Sequence, residues 1–147
     1  MGAVRGCNIP EELSYNVENN AWARKENDGT ITVGVTSYAC SLAGEIVSYT
    51  PKKVGKSIEK DKSCATVESG KWVGPAKLAC GGTVVAVNEA LVAEPALANE
   101  DPYEKGWLLV IKPVDWGAVR PTLVAGTAVA GPYEAKMTAD GFAGCGG

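Results

Sequence analysis

The sequence contains no histidine among its 147 residues. A Ser-His-Asp or Cys-His catalytic site therefore cannot be assembled from it. The five cysteines Cys7, Cys40, Cys64, Cys80 and Cys145 have spacings that match no zinc pattern, and no histidine is present to complete one. A carboxylate pair remains chemically available because the chain has 17 acidic residues, but no pair is marked out by its spacing.

Long apolar runs and basic clusters are also missing. No apolar stretch is long enough to cross a bilayer, and the N-terminus lacks the apolar segment of a signal peptide. We therefore expect a cytoplasmic protein with no membrane insertion. The net charge of −3 and the isoelectric point of about 5.0 make nucleic acid a poor partner. The stretch 52–62 is rich in lysine but also contains Glu59 and Asp61, and it is typical of a solvated surface.

The odd number of cysteines predicts thiols and not a disulfide framework. Cys40 and Cys64 lie in apolar stretches and are expected to be small core residues, and Cys80 to be buried and inert. Cys7 and Cys145 lie near the chain ends and are the better candidates for reactivity.

What the chain does have is 18 glycines among short apolar runs, a composition that favours strands and turns. Asn27-Asp28-Gly29 predicts a hairpin. The alternating residues 30–35 predict a strand, and residues 37–44 a helical turn that ends at Gly44. Further segments are predicted as strands at 45–50, where Pro51 breaks the ladder, and at 63–68, 83–87 and 107–111, and as short helical patches at 88–92 and 95–98.

The two ends of the chain are less patterned. Residues 8–26 contain a short helical turn predicted at Pro10 and a first strand whose Trp22 faces the core. We divide the chain into a domain at 1–116, with an N-terminal extension, and an Ala- and Gly-rich tail at 117–147. The tail has a helix predicted at 132–139, and its last residues, GFAGCGG, are expected to be a flexible terminus.

A weak internal repeat relates two strands. Residues 44–49 and 82–87 share the pattern Gly-polar-apolar-apolar-small-apolar, 38 positions apart, and each is followed by another strand. Two copies of one strand pair fit a β-sandwich of two short sheets related by a pseudo-twofold axis. Ser69-Gly70-Lys71 would then form the turn between the halves, with Gly70 supplying a positive φ and Lys71 at a hairpin tip.

A functional role for Lys71 is suggested by a resemblance of the residues around it to a known modification site. Thr66-Val67-Glu68-Ser69-Gly70-Lys71 resembles the lipoylation site of glycine cleavage H-proteins. The strand at 28–36 and the runs 87–91, 99–103, 106–109 and 111–113 are also similar to that family, in the right order, so that about residues 15–116 are covered. The resemblance implies a mostly β fold, the lipoyl-type barrel-sandwich hybrid or hammerhead, with short flanking helices.

The same resemblance implies a site and a cofactor. It implies lipoate attached covalently to Lys71 by lipoate attachment enzymes, with Glu68 and Gly55 supporting recognition. Biotin carriers have methionines beside the lysine, whereas the neighbours here are Gly70 and Trp72. The indole of Trp72 would either pack on the dithiolane or anchor the hairpin. The protein would be a carrier that serves partner enzymes and not itself an enzyme.

Other residues depart from the H-protein pattern. The runs 7–13, 49–56 (Tyr-Thr-Pro-Lys-Lys-Val-Gly-Lys) and 68–75 (Glu-Ser-Gly-Lys-Trp-Val-Gly-Pro) resemble the lipoate-binding proteins of sulfur oxidation. That resemblance implies a swinging arm that shuttles sulfur intermediates with a heterodisulfide-reductase-like complex. It is the leading hypothesis from the sequence.

Two alternatives remain open. One is the aminomethyl carrier of glycine cleavage, and the other is a binding module without lipoate. A dihydrolipoamide dehydrogenase-like oxidoreductase is a further candidate partner. Cys7 and Cys145 carry a subsidiary hypothesis, a transient disulfide or a persulfide relay with the arm, against inert surface thiols.

Overall fold

The structure is a computed structural model that describes residues 3–145. The strands are β1 (Ala3–Val4), β2 (Cys7–Asn8), β3 (Ser14–Asn16), β4 (Ala21–Lys25), β5 (Ile31–Val35), β6 (Ile46–Pro51), β7 (Ser57–Ile58), β8 (Ser63–Ser69), β9 (Val73–Lys77), β10 (Gly82–Val87), β11 (Leu109–Pro113) and β12 (Val124–Ala125). The helices are α1 (Ser37–Ala43), α2 (Glu89–Ala93), α3 (Leu97–Glu100), α4 (Trp116–Val119) and α5 (Ala130–Ala139), with a 3-10 turn at Arg120–Thr122. No helix in this part of the chain is long and apolar enough to cross a membrane.

Two sheets supply the main core. A seven-stranded sheet has the order β12-β3-β4-β5-β11-β10-β7, and a three-stranded sheet has the order β6-β8-β9. Ile31, Leu109 and Ile111 of the first sheet and Ile46 and Val67 of the second belong to one buried apolar cluster. Along β11 the buried Leu109 and Ile111 alternate with the more exposed Val110 and Lys112, as period-2 strands require. The expected mostly β architecture with short helices is confirmed.

The strand pairs predicted from the repeat are both present. β6 pairs antiparallel with β8 in the smaller sheet, and β10 pairs antiparallel with β11 in the larger one. Each first strand carries one register shift, at Ile46/Ser48 and at Val84/Ala86. Pro51 was expected to break the ladder, but it is the last residue of β6 and pairs with Ala65. A proline is tolerated there because β6 is the edge strand of its sheet, so that one side needs no partner.

The hairpin and helix signals around β5 are also confirmed. Gly29 has a positive φ of 88° in the β4–β5 turn, and the carboxylate of Asp28 accepts a hydrogen bond from the amide of Thr30 at 2.9 Å. The hydroxyl of Thr36 caps α1 by accepting from Ala39 N–H. The predicted turn at Pro10 is present at residues 11–12 as a turn without a helix.

A second buried cluster joins the two ends of the chain. It contains Tyr15, Trp22, Tyr38, Tyr133 and Met137, all fully buried. We call residues 3–9 together with 130–145 the terminal cap. The predicted helix of the tail is α5, and it is packed into this cluster by Tyr133 and Met137. The terminal cap therefore belongs to the folded body.

The expectation of a flexible end is wrong for residues 141–145, and Gly146 and Gly147 lie outside the described residues. Phe142 packs edge-on against Tyr38, with ring centroids 4.7 Å apart. The guanidinium of Arg5 donates to the carbonyl of Phe142 and pairs with Glu134, and the amide of Cys145 donates to the carbonyl of Arg5 at 3.0 Å. The apolar ring and these bonds fix the segment.

The prediction of five thiols is also wrong, because Cys7 and Cys145 form a disulfide across 138 positions. Cys7 on β2 is fully buried, and Arg5 in the preceding turn holds the segment that carries Cys145. Their exchange or relay role stays a prediction. Cys40, Cys64 and Cys80 are free and buried, as expected.

Candidate functional site

Lys71 lies in the connection between β8 and β9. These strands pair antiparallel with Glu68 opposite Val73, so that residues 69–72 form the hairpin tip. The amide of Ser69 donates to the carbonyl of Trp72 at 2.8 Å, and the amide of Lys71 donates to the Ser69 hydroxyl at 3.3 Å. Lys71 is exposed while Ser69 is buried. The predicted hairpin position of the lysine is confirmed.

The turn does not use the backbone conformation that was expected. Gly70 is not among the glycines with positive φ, so the chain reverses without a left-handed residue there. The reversal is instead closed by the Ser69 hydroxyl and by the backbone bond to Trp72. A Cβ at Gly70 would meet nothing within 4 Å, which leaves the space beside the lysine open.

The stem of Lys71 lies against the end of α1. Gly44 ends this helix with a φ of 86°, and its amide donates to the carbonyl of Cys40 at 2.9 Å. A Cβ built on Gly44 would come within 3.3 Å of Lys71 Cε. Glycine is therefore suited to this position twice over, by its backbone conformation and by its lack of a side chain. The sequence indicated the first role and gave no signal of the second.

A groove opens beside this lysine. Its volume is about 510 Å³, which is within the usual range for a site that holds a small organic group. It runs between α1 and the β8–β9 hairpin, and most of its wall is apolar; the lining residues are Asn19, Asn20, Val35, Ala39, Cys40, Leu42, Ala43, Ile46, Val67, Lys71, Trp72, Pro75 and Ala76. Because these lining residues come from separate segments of the chain, no local sequence pattern predicts the groove.

Trp72 forms part of the groove wall next to Lys71. The alternating exposure along β9 puts Gly74 and Ala76 on the inward side, and Trp72 shares their side because side chains repeat every second residue. Its indole packs on Gly74, where an added Cβ would be 2.3 Å from Trp72 Cζ2. The residue is nevertheless 43 % exposed. The indole ring is thus held against its own strand, and part of its surface remains exposed to solvent.

One polar atom beside the groove lacks a partner. The side-chain oxygen of Asn20 is buried and accepts no hydrogen bond in the described part of the chain. Asn20 has a positive φ of 55°, and its backbone carbonyl accepts from the amide of Thr36, which fixes the residue beside α1. A buried acceptor without a donor is costly, so this oxygen suits a group that brings an N–H. Sequence reasoning did not select Asn20.

The two residues expected to support lipoylation lie apart. Glu68 is exposed on β8, between Ser48 and Val73 and close to the hairpin tip. Gly55 is exposed, has a φ of 93°, and donates from its amide to the carbonyl of Val84 at 2.8 Å. It follows the far end of β6, where Pro51 pairs with Ala65, roughly 13 Å along β8 from Ser69 at the usual strand rise. The structure therefore does not bring Gly55 to the lysine.

No group of three or more metal-binding side chains occurs within residues 3–145. Burial raises the pKa of the Cys40 thiol to about 12, although this residue lines the groove. Burial also raises the pKa of Cys64 to about 12 and that of Cys80 to about 11. A thiol with a raised pKa stays neutral at ordinary pH and is a poor nucleophile. These cysteines do not supply chemistry to the site.

Alkylation of the folded protein tests this inertness. We expect iodoacetamide at pH 8 without reductant to modify none of the three free cysteines, because this pH lies well below their raised pKa values. In guanidinium chloride, still without reductant, we expect three adducts per chain by mass spectrometry. With reductant and denaturant the number should be five, which checks the disulfide. Rapid labelling of Cys40 in the folded protein would contradict the burial.

Comparison with known proteins places this site in a family. The model of the family described as glycine cleavage H-protein matches residues 13–135. The chain belongs to the glycine cleavage H-protein family. Proteins of this family carry lipoate covalently on a lysine and act as carriers, not as enzymes. The expected family, cofactor class and carrier role are therefore confirmed, whereas the comparisons do not show the sulfur-oxidation branch.

Relatives of this chain cover most of its length. Glycine cleavage system H protein 5 of Aquifex aeolicus is 52% identical over 128 residues, which is 84% of this chain and 86% of the relative. The H protein of Klebsiella pneumoniae is 41% identical over 130 residues, 88% of this chain and 96% of the relative. The crystal structure of an H protein from Mycobacterium marinum superposes with a TM-score of 0.74 at 31% identity, covering 85% of this chain and 98% of that one. The match to the family model thus extends beyond residue 116 and ends at residue 135, within α5.

Proposed function

We propose that Lys71 carries the lipoyl group and that the protein is a swinging-arm carrier between partner enzymes. The observation that carries the proposal is the position of Lys71, which is exposed at a hairpin tip with its stem against Gly44 and beside an apolar groove. In a family that carries lipoate on a lysine, this is a lysine an attachment enzyme can reach.

The groove fits the arm in size and character. When bound, the lipoyl group supplies a dithiolane that can be reduced and can carry a small group on sulfur. The apolar wall of the groove excludes water from an acyl chain laid along it. Gly44 leaves room for the lysine stem, and the Asn20 oxygen offers an acceptor to an N–H of the arm or of its cargo. The tether keeps the arm near a docked partner at a millimolar-scale effective concentration.

Glu68 supports recognition by the lipoate attachment enzymes in this proposal. Its carboxylate is exposed on the strand that leads to the lysine, where an enzyme bound to the hairpin would meet it. Gly55 acts at a distance, by shaping the loop after β6, and not by contact with the lysine.

The cargo best supported is the aminomethyl group of glycine cleavage. The named relatives are H proteins of that system, and they cover most of this chain. The Asn20 oxygen also suits the N–H groups of an amine, which a sulfur cargo lacks. The partners are then the glycine cleavage enzymes, including a dihydrolipoamide dehydrogenase-like oxidoreductase, and we place the exchange in the cytoplasm.

A second candidate is the sulfur cargo with a heterodisulfide-reductase-like complex. The run Ser69–Pro75, which resembles the lipoate-binding proteins of sulfur oxidation, favours it. Within this run Trp72 packs on Gly74, so that two of its residues form one contact beside the lysine. Aquifex aeolicus also has relatives numbered 2, 3 and 5, so that one organism holds several such proteins among which tasks can be divided.

Mass spectrometry tests the modification first. Intact protein from a lipoylation-competent native host, with mapping of residues 63–77, is expected to carry a lipoyl mass on Lys71. The lipoylated protein is then supplied to the glycine cleavage enzymes and, separately, to a heterodisulfide-reductase-like complex. Glycine decarboxylation supports the first cargo, whereas binding and sulfur transfer without decarboxylation support the second. An unmodified Lys71 in protein from such cells would contradict the carrier proposal and support a binding module without lipoate.

A further inference from the structure

Two large apolar side chains of the groove wall are partly exposed to solvent. Trp72 directly follows Lys71 and is 43 % exposed, and Leu42 on α1, also a groove residue, is 42 % exposed. Large apolar side chains this exposed at one groove are surface that a ligand can cover. The two residues stand on the two elements that form the groove, α1 and the hairpin.

The indole is not needed to hold the hairpin. The hairpin tip is closed by the backbone bond from Ser69 to Trp72 at 2.8 Å and by the Ser69 hydroxyl, which accepts from the Lys71 amide. The sheet pairing continues through Glu68 opposite Val73. All of these bonds use backbone atoms or Ser69, and a phenylalanine or alanine at position 72 would keep them.

The chain nevertheless gives the indole a fixed seat. Gly74 leaves the space that the ring occupies, since any Cβ there would be 2.3 Å from Cζ2. A ring held on its own strand loses little further conformational entropy when a ligand covers it. The side of the ring away from Gly74 is then a preformed apolar platform.

We propose that Trp72 is a positioning residue that packs on the acyl part of the lipoyl arm and holds the arm in the groove. This inference rests on the proposed function of Lys71. The proposed ligand is the lipoyl arm on Lys71 of the same chain, because the stem of this lysine already lies at Gly44 on the groove side of the hairpin. Leu42 covers the arm from the opposite wall.

Tryptophan fluorescence tests the contact in full-length protein, lipoylated and unlipoylated. Covering the 43 % exposed residue is expected to shift emission to the blue and to reduce the acrylamide quenching of Trp72 roughly by half. The matched control is Trp116→Phe, which removes an indole on α4 that is not part of the groove wall. The difference between the two forms should persist in Trp116→Phe and vanish in Trp72→Phe.

A second measurement separates positioning from fold support. The rate at which a water-soluble phosphine reduces the arm, followed by mass on the Lys71 peptide, should rise several-fold in Trp72→Ala and return towards the normal rate in Trp72→Phe. Thermal unfolding of each variant is recorded in parallel. Equal quenching of lipoylated and unlipoylated protein, or an unchanged reduction rate in Trp72→Ala, would overturn the proposal.

The two levels of inference fail in different ways. A missing lipoyl mass on Lys71 is seen before any fluorescence is recorded, and it overturns the proposed function together with the role of Trp72. A lipoyl mass on Lys71 with no change at Trp72 overturns only the positioning role and leaves the carrier proposal intact.

Discussion

Replacement of Lys71 by arginine is expected to abolish lipoylation and all carrier activity while leaving the fold unchanged. The guanidinium group stays protonated and cannot be acylated as an amine can. The lysine is exposed at a turn, and its backbone bond to Ser69 does not depend on the side chain. A surface substitution of this kind changes the free energy of unfolding by about 0.5 kcal/mol or less. Intact mass, transfer activity and thermal unfolding measure the three effects.

The matched control is Lys77→Arg. Lys77 is also exposed, and it ends β9, the strand that leaves the same hairpin. We expect this variant to keep the lipoyl mass and full transfer activity. A lipoyl adduct that persists in Lys71→Arg, or that moves to Lys77, would show that the attachment site has been assigned to the wrong residue.

Local features of the fold could be predicted because their causes are local. Gly29 and Gly44 have the positive φ that their turn and helix-end positions indicated. The repeat gave the pairing of β6 with β8 and of β10 with β11, because the same pattern buries the same face in both copies. Lys71 was placed at a hairpin tip from the turn signal at Ser69-Gly70, and the position is confirmed although Gly70 lacks the positive φ expected there.

The parts that could not be predicted depend on residues far apart in the chain. The sequence around Cys7 or Cys145 does not indicate a disulfide partner 138 positions away. The two strands of this region, β1 and β2, which contains Cys7, are only two residues long and give no clear sequence pattern. The groove combines six or more separate segments, so that Asn20 and Leu42 become site residues only after folding. Gly44 illustrates both cases, since its helix-ending role is local and its contact with Lys71 is not.

The terminal cap packs against α1, the helix that forms one wall of the groove, and it therefore affects the site. Tyr38 of α1 is buried in the cap, where its hydroxyl bonds to Asp140 and its ring meets Tyr133 and Phe142. The next residues of the same helix, Ala39 and Cys40, line the groove. A helix of seven residues is not stable by itself, so its placement depends on packing from both sides.

Removal of the disulfide is therefore expected to have the largest effect on stability. In the chain-entropy model, a cross-link between residues 138 positions apart stabilises the folded state by about 5 kcal/mol, because it restricts the unfolded chain. We expect the double variant Cys7→Ala, Cys145→Ala to unfold at a much lower urea concentration than the oxidised protein. Alanine is used because Cys7 is fully buried and a serine hydroxyl would lack a partner there.

Reductant provides the control for this loss. The oxidised protein should fall to the stability of the double variant when reductant is added, whereas the double variant should not respond, because Cys40, Cys64 and Cys80 are free. Hydrogen exchange should show the largest loss of protection in β1, β2, α5 and α1, since the disulfide joins the ends that pack on Tyr38. If reductant lowered stability by less than about 1 kcal/mol, the packing of the cap would suffice without the covalent bond. The groove wall would then be independent of the redox state of the pair.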